Sequence, residues 1–310
     1  MKTTNRETMK TYIKLATVLG ALCSSLAFGQ ATVGIASGQP TGTNYPMAQD
    51  IVRVCTTGQT QVNNVVSDGS LDNINKIYGD KNVQYGIIQE DALVYQQGID
   101  PKMMDRIVMV FPFFSTEIHA IVKADSKINT LADLQGKRVV EGPDGSGTWV
   151  TVQVLKAKTG LQWNTLIAGQ KDGLDMVLNG KADAEFIVAG RPITMLEKAQ
   201  GVRLIPISHP SLDTFKYYTR TMIPSGSYPF QKGATNTYKV NNVLATYAFK
   251  NQYQTEIGSL VTCIARNLGT LQQTGHPKWR DVDPTDIDRI AWPSHPAAVA
   301  AIKRETAKKK

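Results

Sequence analysis

Ala31-Thr32-Val33-Gly34-Ile35-Ala36-Ser37-Gly38-Gln39-Pro40-Thr41-Gly42-Thr43-Asn44-Tyr45-Pro46 is the stretch on which the fold turns. Residues 31–36 are apolar or small and read as a buried strand, and Gly38, Pro40 and Gly42 then interrupt the run. Beyond Pro46, a residue tolerated in a first helical turn, Met47, Ile51, Val54 and Cys55 recur at helical spacing. Strand, glycine-rich turn and helix in that order form the building unit of an α/β sheet.

The same alternation continues along the chain. Residues 84–88, 107–113, 118–122, 139–140, 184–188 and 202–207 read as further strands, the second and third of these forming a longer pair around Ser115-Thr116. Between them, Trp149, Val152, Leu155 and Lys156 make one helical face, and Leu174, Val177 and Leu178 another. The expected class is therefore α/β, with mixed or largely parallel sheets flanked by helices. A chain of 310 residues with 42% hydrophobic composition holds enough apolar material for two lobes. No long linker separates them, so the chain is expected to cross between lobes on paired segments.

Three loops share one design. The first is Ser37 to Tyr45; the second is Ser67-Asp68-Gly69-Ser70; the third is Gly142-Pro143-Asp144-Gly145-Ser146-Gly147-Thr148. Each places Gly with Ser or Thr where a loop enters a helix, where free N–H groups and the helix dipole attract anions. One such junction alone is better explained by ordinary helix capping. Three together, each glycine-rich enough for close approach, favour a binding site at the carboxyl ends of the strands.

The ends of the chain give it an address. A basic stretch ending at Lys14 is followed by an apolar run over residues 15–26 and by Ala27-Phe28-Gly29, the layout of a cleavable secretory signal cut after Gly29 or Ala31. The run is too short for a membrane anchor, which needs about 20 apolar residues. Leu22 stands before Cys23 where lipidation calls for a small residue. The net charge of +8 is concentrated at the termini. Lys2, Arg6, Lys10 and Lys14 against Glu7 place +3 in the leader, and Lys303, Arg304, Lys308, Lys309 and Lys310 against Glu305 place +4 in the tail. The remainder is near neutral, which argues against nucleic acid, since that needs a clustered basic face. Without the leader two cysteines remain, Cys55 and Cys263, and an oxidising compartment allows either one disulfide or two buried thiols.

Catalytic signatures are missing. Neither nucleotide-binding glycine pattern occurs, so no cofactor is expected. Ser146 fails the nucleophile-elbow pattern because Asp144 stands at its first position. The histidines are His119, His209, His276 and His295, and none has metal-ligand spacing; His119, set in an apolar strand, reads as a hydrogen-bonded hinge residue. The chain is read as a binding protein rather than an enzyme, with a secreted serine hydrolase using Ser146 as the reading from another class.

Further stretches carry a resemblance. Gly34 to Pro46, Ser67 to Asn73 and Tyr85-Gly86-Ile87-Ile88-Gln89-Glu90-Asp91 are followed by Leu131-Ala132-Asp133-Leu134-Gln135-Gly136-Lys137-Arg138-Val139, which leads into the third loop. Ala189-Gly190-Arg191-Pro192, Ile223-Pro224-Ser225-Gly226-Ser227-Tyr228 and His295-Pro296-Ala297-Ala298 complete the set. In this order they resemble the TAXI family of solute-binding proteins, which serve TRAP transporters, over residues 31–305. The resemblance implies a two-lobed periplasmic type II binding-protein fold, monomeric, with residues 30–115 plus 220–310 as one domain and 116–219 as the other. The crossings would lie near residues 115–117 and 217–220. It implies capture of a small carboxylate (a glutamate-like amino acid, dicarboxylate or oxoacid) for delivery to TRAP membrane subunits; a binding protein of an ABC transporter or sensor is the nearest alternative.

The resemblance also assigns residues. Ser37, Gly38, Thr41, Gly42 and Tyr45 would form one wall, with Ser67, Ser70, Gln89 and Asp91 nearby. Gly145, Ser146, Gly147 and Thr148 would receive a carboxylate from the other lobe. Arg191, where many members carry an uncharged residue, is placed either as a bidentate partner for a second carboxylate or as a surface arginine. Ala297 in place of a common Gly, and Phe113-Phe114-Ser115 in place of a more polar stretch, bear on the ligand rather than the fold. The same fold brings the helix ending at Cys55 near the C-terminal helical segment, which implies a Cys55–Cys263 disulfide.

Overall fold

The computed structural model describes residues 31–248 and 254–308. The expected leader, with Cys23 and a cut after Gly29, and Lys309 and Lys310 lie outside the described residues, whereas a cut after Ala31 would fall within β1. The chain alternates as the periodicity predicts. β1 (Ala31–Gly38), α1 (Asn44–Cys55), β2 (Thr60–Val66), α2 (Ser70–Gly79), β3 (Tyr85–Gln89), α3 (Glu90–Ile99) and the short α4 (Pro101–Met104) form the first half. β4 (Ile107–Lys123) then leads to β5 (Arg138–Val140), α5 (Gly147–Thr159), β6 (Asn164–Leu166), α6 (Gln170–Leu178) and β7 (Ala184–Ala189). β8 (Val202–Ile205), β9 (Tyr218–Ile223), β10 (Thr235–Tyr247), α7 (Gln254–Thr274) and α8 (Pro296–Ala307) complete it.

The strands run in the order β2-β1-β3-β10-β4-β7-β5-β6, with β8 added to β4 and β9 to β10. The outer pairs β1–β2, β1–β3, β5–β6 and β5–β7 are parallel, while β10 and β4 are antiparallel to each other and to β3 and β7 respectively. The class is thus α/β with a mixed sheet and flanking helices, in the two-lobed arrangement expected. Apolar side chains gather accordingly. One cluster holds Ile35, Ile51, Ile87 and Phe111 from the first half, with Val261 and Ile264 of α7. Two further clusters, around Ile118, Val139 and Phe186 and around Leu174, Ile187 and Tyr228, serve the middle of the chain. Full burial of each such side chain stabilises by about 1.5–3 kcal/mol.

β4 is a single 17-residue strand where the sequence suggested two. The polar step at Ser115-Thr116 does not break it, because β10 supplies partners. Ser115 Oγ donates to Asn241 Oδ1 at 3.0 Å and Thr116 Oγ1 to the Val240 carbonyl at 3.3 Å. Pro112, which lacks a donor, falls where the β4–β10 register shifts. β4 passes from the first cluster at Phe114 to the second at Ile118.

β9 pairs with residues 235–240 of β10, and Tyr218, Tyr238 and Val240 pack in the second cluster, whereas Val243, Leu244 and Ala245 pack in the first. The segment between keeps company with the middle of the chain, Ile223 and Tyr228 packing in the third cluster. A long side-by-side pairing of β9 and β10 holds it there. At the far end of α1, Cys55 is bonded to Cys263 of α7, with Cα atoms 5.9 Å apart. Of the two states the composition allowed, the disulfide is the one formed.

Candidate functional site

A cavity of about 430 Å³ opens between the first cluster and the two others. Four helix N-termini reach it, through Asn44 of α1, Ser70 of α2, Gly147 of α5 and Gln170 of α6. The first N–H groups of a helix have no partner within it. Only α5 is capped by a side chain, Ser146 Oγ accepting from Trp149 N at 3.1 Å. Thr43, Gly69 and Gly169 cap nothing through side chains. Thr43 Oγ1 instead donates across the cavity to the Gly190 carbonyl at 2.7 Å. Positive dipole ends thus converge on one space without a buried side-chain cation among the described residues that line it. Lys171 sits at its margin, mostly exposed and paired with Asp175 at 2.9 Å.

Two acceptors complete the lining. Asn242 is fully buried; its amide donates to the Phe114 carbonyl and Thr116 Oγ1, and its Oδ1 has no partner. Gln170 Oε1 is likewise buried without a partner. Unsatisfied buried acceptors are costly, so both suit a guest that brings donors.

The two sides touch beside the cavity. Leu71 N donates to the Gly145 carbonyl at 3.0 Å, and Tyr95 of α3 meets Trp149 of α5 edge-on at 5.9 Å. Gly69, at φ +119°, lies so close that a Cβ there would stand 3.0 Å from Ser146 Cα. A Cβ on Gly147 would fall 1.6 Å from Gln89 Oε1. Glycine at 69 lets the loops approach backbone to backbone, and at 147 it leaves room for the Gln89 side chain.

Of the residues expected at the site, Ser37, Gly38, Thr41, Gly42, Ser70, Gln89, Ser146, Gly147 and Thr148 line the cavity. Five do not. The Tyr45 hydroxyl accepts from Gln49 at 3.1 Å and its carbonyl from Asn64. Ser67 is buried with Oγ unpartnered, and the Gly145 carbonyl is taken by Leu71. Asp91 is sealed at the contact between the sides, accepting from Thr151 and Tyr218. Arg191 turns to Glu117, its Nε 3.2 Å from Oε1 in an ion pair without hydrogen-bond alignment. Glu117 also takes Lys278 Nζ at 2.9 Å, because a desolvated carboxylate draws the cations within reach.

Residues 169–172, Thr116 and Asn242 line the cavity without having been anticipated. For the first, the signal was a glycine before the apolar face of α6; the other two depend on the β4–β10 pairing. The histidines carry structural duties. Nδ1 of His209, His276 and His295 each accepts the N–H two residues on, at 3.2–3.3 Å. His119 bonds the Glu117 carbonyl and the Tyr228 hydroxyl, both at 2.9 Å, and burial pulls it down to about 4. No described histidine bonds Ser146, whose Oγ serves as the cap, and no described group of three His, Cys, Asp or Glu residues is gathered to hold a metal.

Solved structures of similar fold are distant in sequence. A protein of glutathione import through GshT and the cystine ABC importer TcyBC of Streptococcus mutans is 14% identical, with TM-score 0.51, over 83% of this chain and 99% of that one. XAC2383 from Xanthomonas citri bound to ATP is 10% identical, with TM-score 0.50, over 90% and 99%. The periplasmic aliphatic sulphonate binding protein SsuA from Escherichia coli is 14% identical, with TM-score 0.47, over 90% and 79%. Residues 35–303 match the NMT1-like family, and by that match over most of its length the chain belongs to it.

Proposed function

We propose that this chain is an exported, monomeric solute receptor that captures a small carboxylate between two lobes and hands it to the membrane subunits of a TRAP-type transporter of the TAXI class, without turnover. The observation that carries this reading is the convergence of four helix N-termini, three of them uncapped by side chains, on one cavity. Ser70, Ser146 and Thr148 add hydroxyls, so an anion finds donors without a buried cation. The vacant acceptors of Asn242 and Gln170 favour a carboxylate that also carries N–H or O–H donors, a glutamate-like amino acid before a simple dicarboxylate. The lobes are taken as the first cluster against the second and third, hinged on β4 and β10.

Ligand binding raises apparent stability by mass action, so a thermal-shift panel of amino acids, dicarboxylates, oxoacids and sugars tests the reading. Amino acids bearing a second carboxylate should give the largest shift. A response confined to sugars or cations rejects the anion site. Uptake into vesicles holding TRAP membrane subunits, dependent on added receptor, tests the transporter assignment.

A further inference from the structure

One carboxylate is buried at the contact between the lobes with no cation beside it. Asp91 stands in the first turn of α3 and is 1% exposed. Its Oδ2 accepts from the Thr151 hydroxyl at 2.6 Å and the Tyr218 hydroxyl at 2.8 Å, while Oδ1 has no partner. Thr151 lies on α5, whose Trp149 and Val150 reach across to the first cluster while Val152 and Leu155 pack in the second, and Tyr218 packs in the second too. Parting the lobes removes both donors together and opens the carboxylate to water. We propose that Asp91 is a positioning residue that couples closure of the cavity to uptake of a proton, so that acid favours closing and opening releases the proton. The inference rests on the two-lobed capture reading.

The charges around Asp91 agree in sign. Burial pushes it from the ordinary 3.8 up to about 6, against the opposing pull of the Thr151 and Tyr218 hydroxyls. Glu90, its neighbour on α3, pushes the same way and is itself raised by burial. The titratable groups facing it from the other lobe are Tyr217 and Tyr218, both raised by burial and by Asp91, hence neutral at working pH. No described lysine, arginine or histidine pairs with it. In the parted state the carboxyl returns toward 3.8, so the closed form holds a proton that the open form lacks. The gain in closure is complete below the open-state value and is lost as pH rises through about 6. Between pH 7.5 and 5 the closing equilibrium changes about tenfold.

The Leu71 amide, bonded across the lobes to the Gly145 carbonyl, reports closure without any solute. Hydrogen exchange on the solute-free full chain, corrected for intrinsic rates, should show its protection rising about tenfold from pH 7.5 to 5. Asn73, whose amide bonds within its own lobe to Gly69, should not follow. Asp91→Asn should abolish the rise, and Tyr218→Phe, which removes a donor to the ionised form, should steepen it. A pH-independent Leu71, or the same slope in Asp91→Asn, overturns the latch alone. If Leu71 exchanges only as slowly as core amides such as Leu244 at both pH values, the lobes do not part, and the capture reading falls with the latch.

Discussion

The cavity and the hinge lie next to each other on the same pair of strands yet handle polar groups in opposite ways. At the hinge, Glu117 holds Lys278 and Arg191, Lys278 also holds Asp281, and both ring nitrogens of His119 are bonded. In the cavity, Asn242 Oδ1 and Gln170 Oε1 are left without protein partners, and three of the helix N-termini have no side-chain cap. A satisfied network fixes a geometry, whereas an unsatisfied one costs free energy until a guest completes it. On the proposed reading, the contrast separates a pivot from a receptor.

Several substitutions break or sharpen this contrast. Glu117→Ala leaves Lys278, 3% exposed, with only the half-exposed Asp281, and should cost about 3–5 kcal/mol in urea unfolding. A loss below about 1 kcal/mol would show that the hinge charges are not what fixes the pivot. The disulfide extends the contrast along α1, whose N-terminus faces the cavity while Cys55 is tied to α7. Cys263→Ser should lower stability by about 2–5 kcal/mol and leave solute affinity unchanged. Intact mass with and without reductant gives the thiol count directly.

Gly147→Val acts on the receptor side. Its side chain meets Gln89 and Ser70 in the closed form only, so solute affinity should drop about tenfold, or about 1.4 kcal/mol. Unfolding without solute should move by less than about 1 kcal/mol. Calorimetry with unchanged affinity would place closure elsewhere. The smallest effect concerns Glu185, on β7, whose oxygens both lack partners and whose carboxyl burial raises well above the ordinary range. A raised folded-state value gives stability that is full below the unfolded value, near 4.5, and is lost as pH rises through the folded one. Wild-type stability should therefore fall on the alkaline side, and Glu185→Gln should flatten that fall in unfolding curves between pH 5 and 8.

The legible part of this chain was its local grammar. Residues 31–36 alternating with the Met47–Ile51–Cys55 face, and Gly beside Ser or Thr at helix starts, identified β1, α1 and the α2 and α5 junctions. β2 and β10 were missed for one reason. Thr60–Val66 and Thr235–Tyr247 each carry an Asn-Asn pair, a residue type poor in strands, and pairing with neighbouring strands overrides that preference. The candidate cavity was approached through its loops, which is why Ser37, Gly42, Ser146 and Thr148 of its lining were legible and Asn242 was not. Arg191 shows the limit most plainly. Its type suited a carboxylate, and the carboxylate it meets is Glu117, 74 residues away in sequence.

The sequence alone determined the α/β alternation, the glycine-rich approach to three helices and the absence of nucleotide, metal and nucleophile signatures. These are properties of windows a few residues long, set by side-chain period and backbone sterics. The tertiary structure decided which loops share a cavity, which strands run from one apolar cluster to another, and which charges gather around Glu117. Those outcomes depend on contacts such as Ser115 with Asn241, 126 residues apart, whose strength is set by distance and by the dielectric that burial creates.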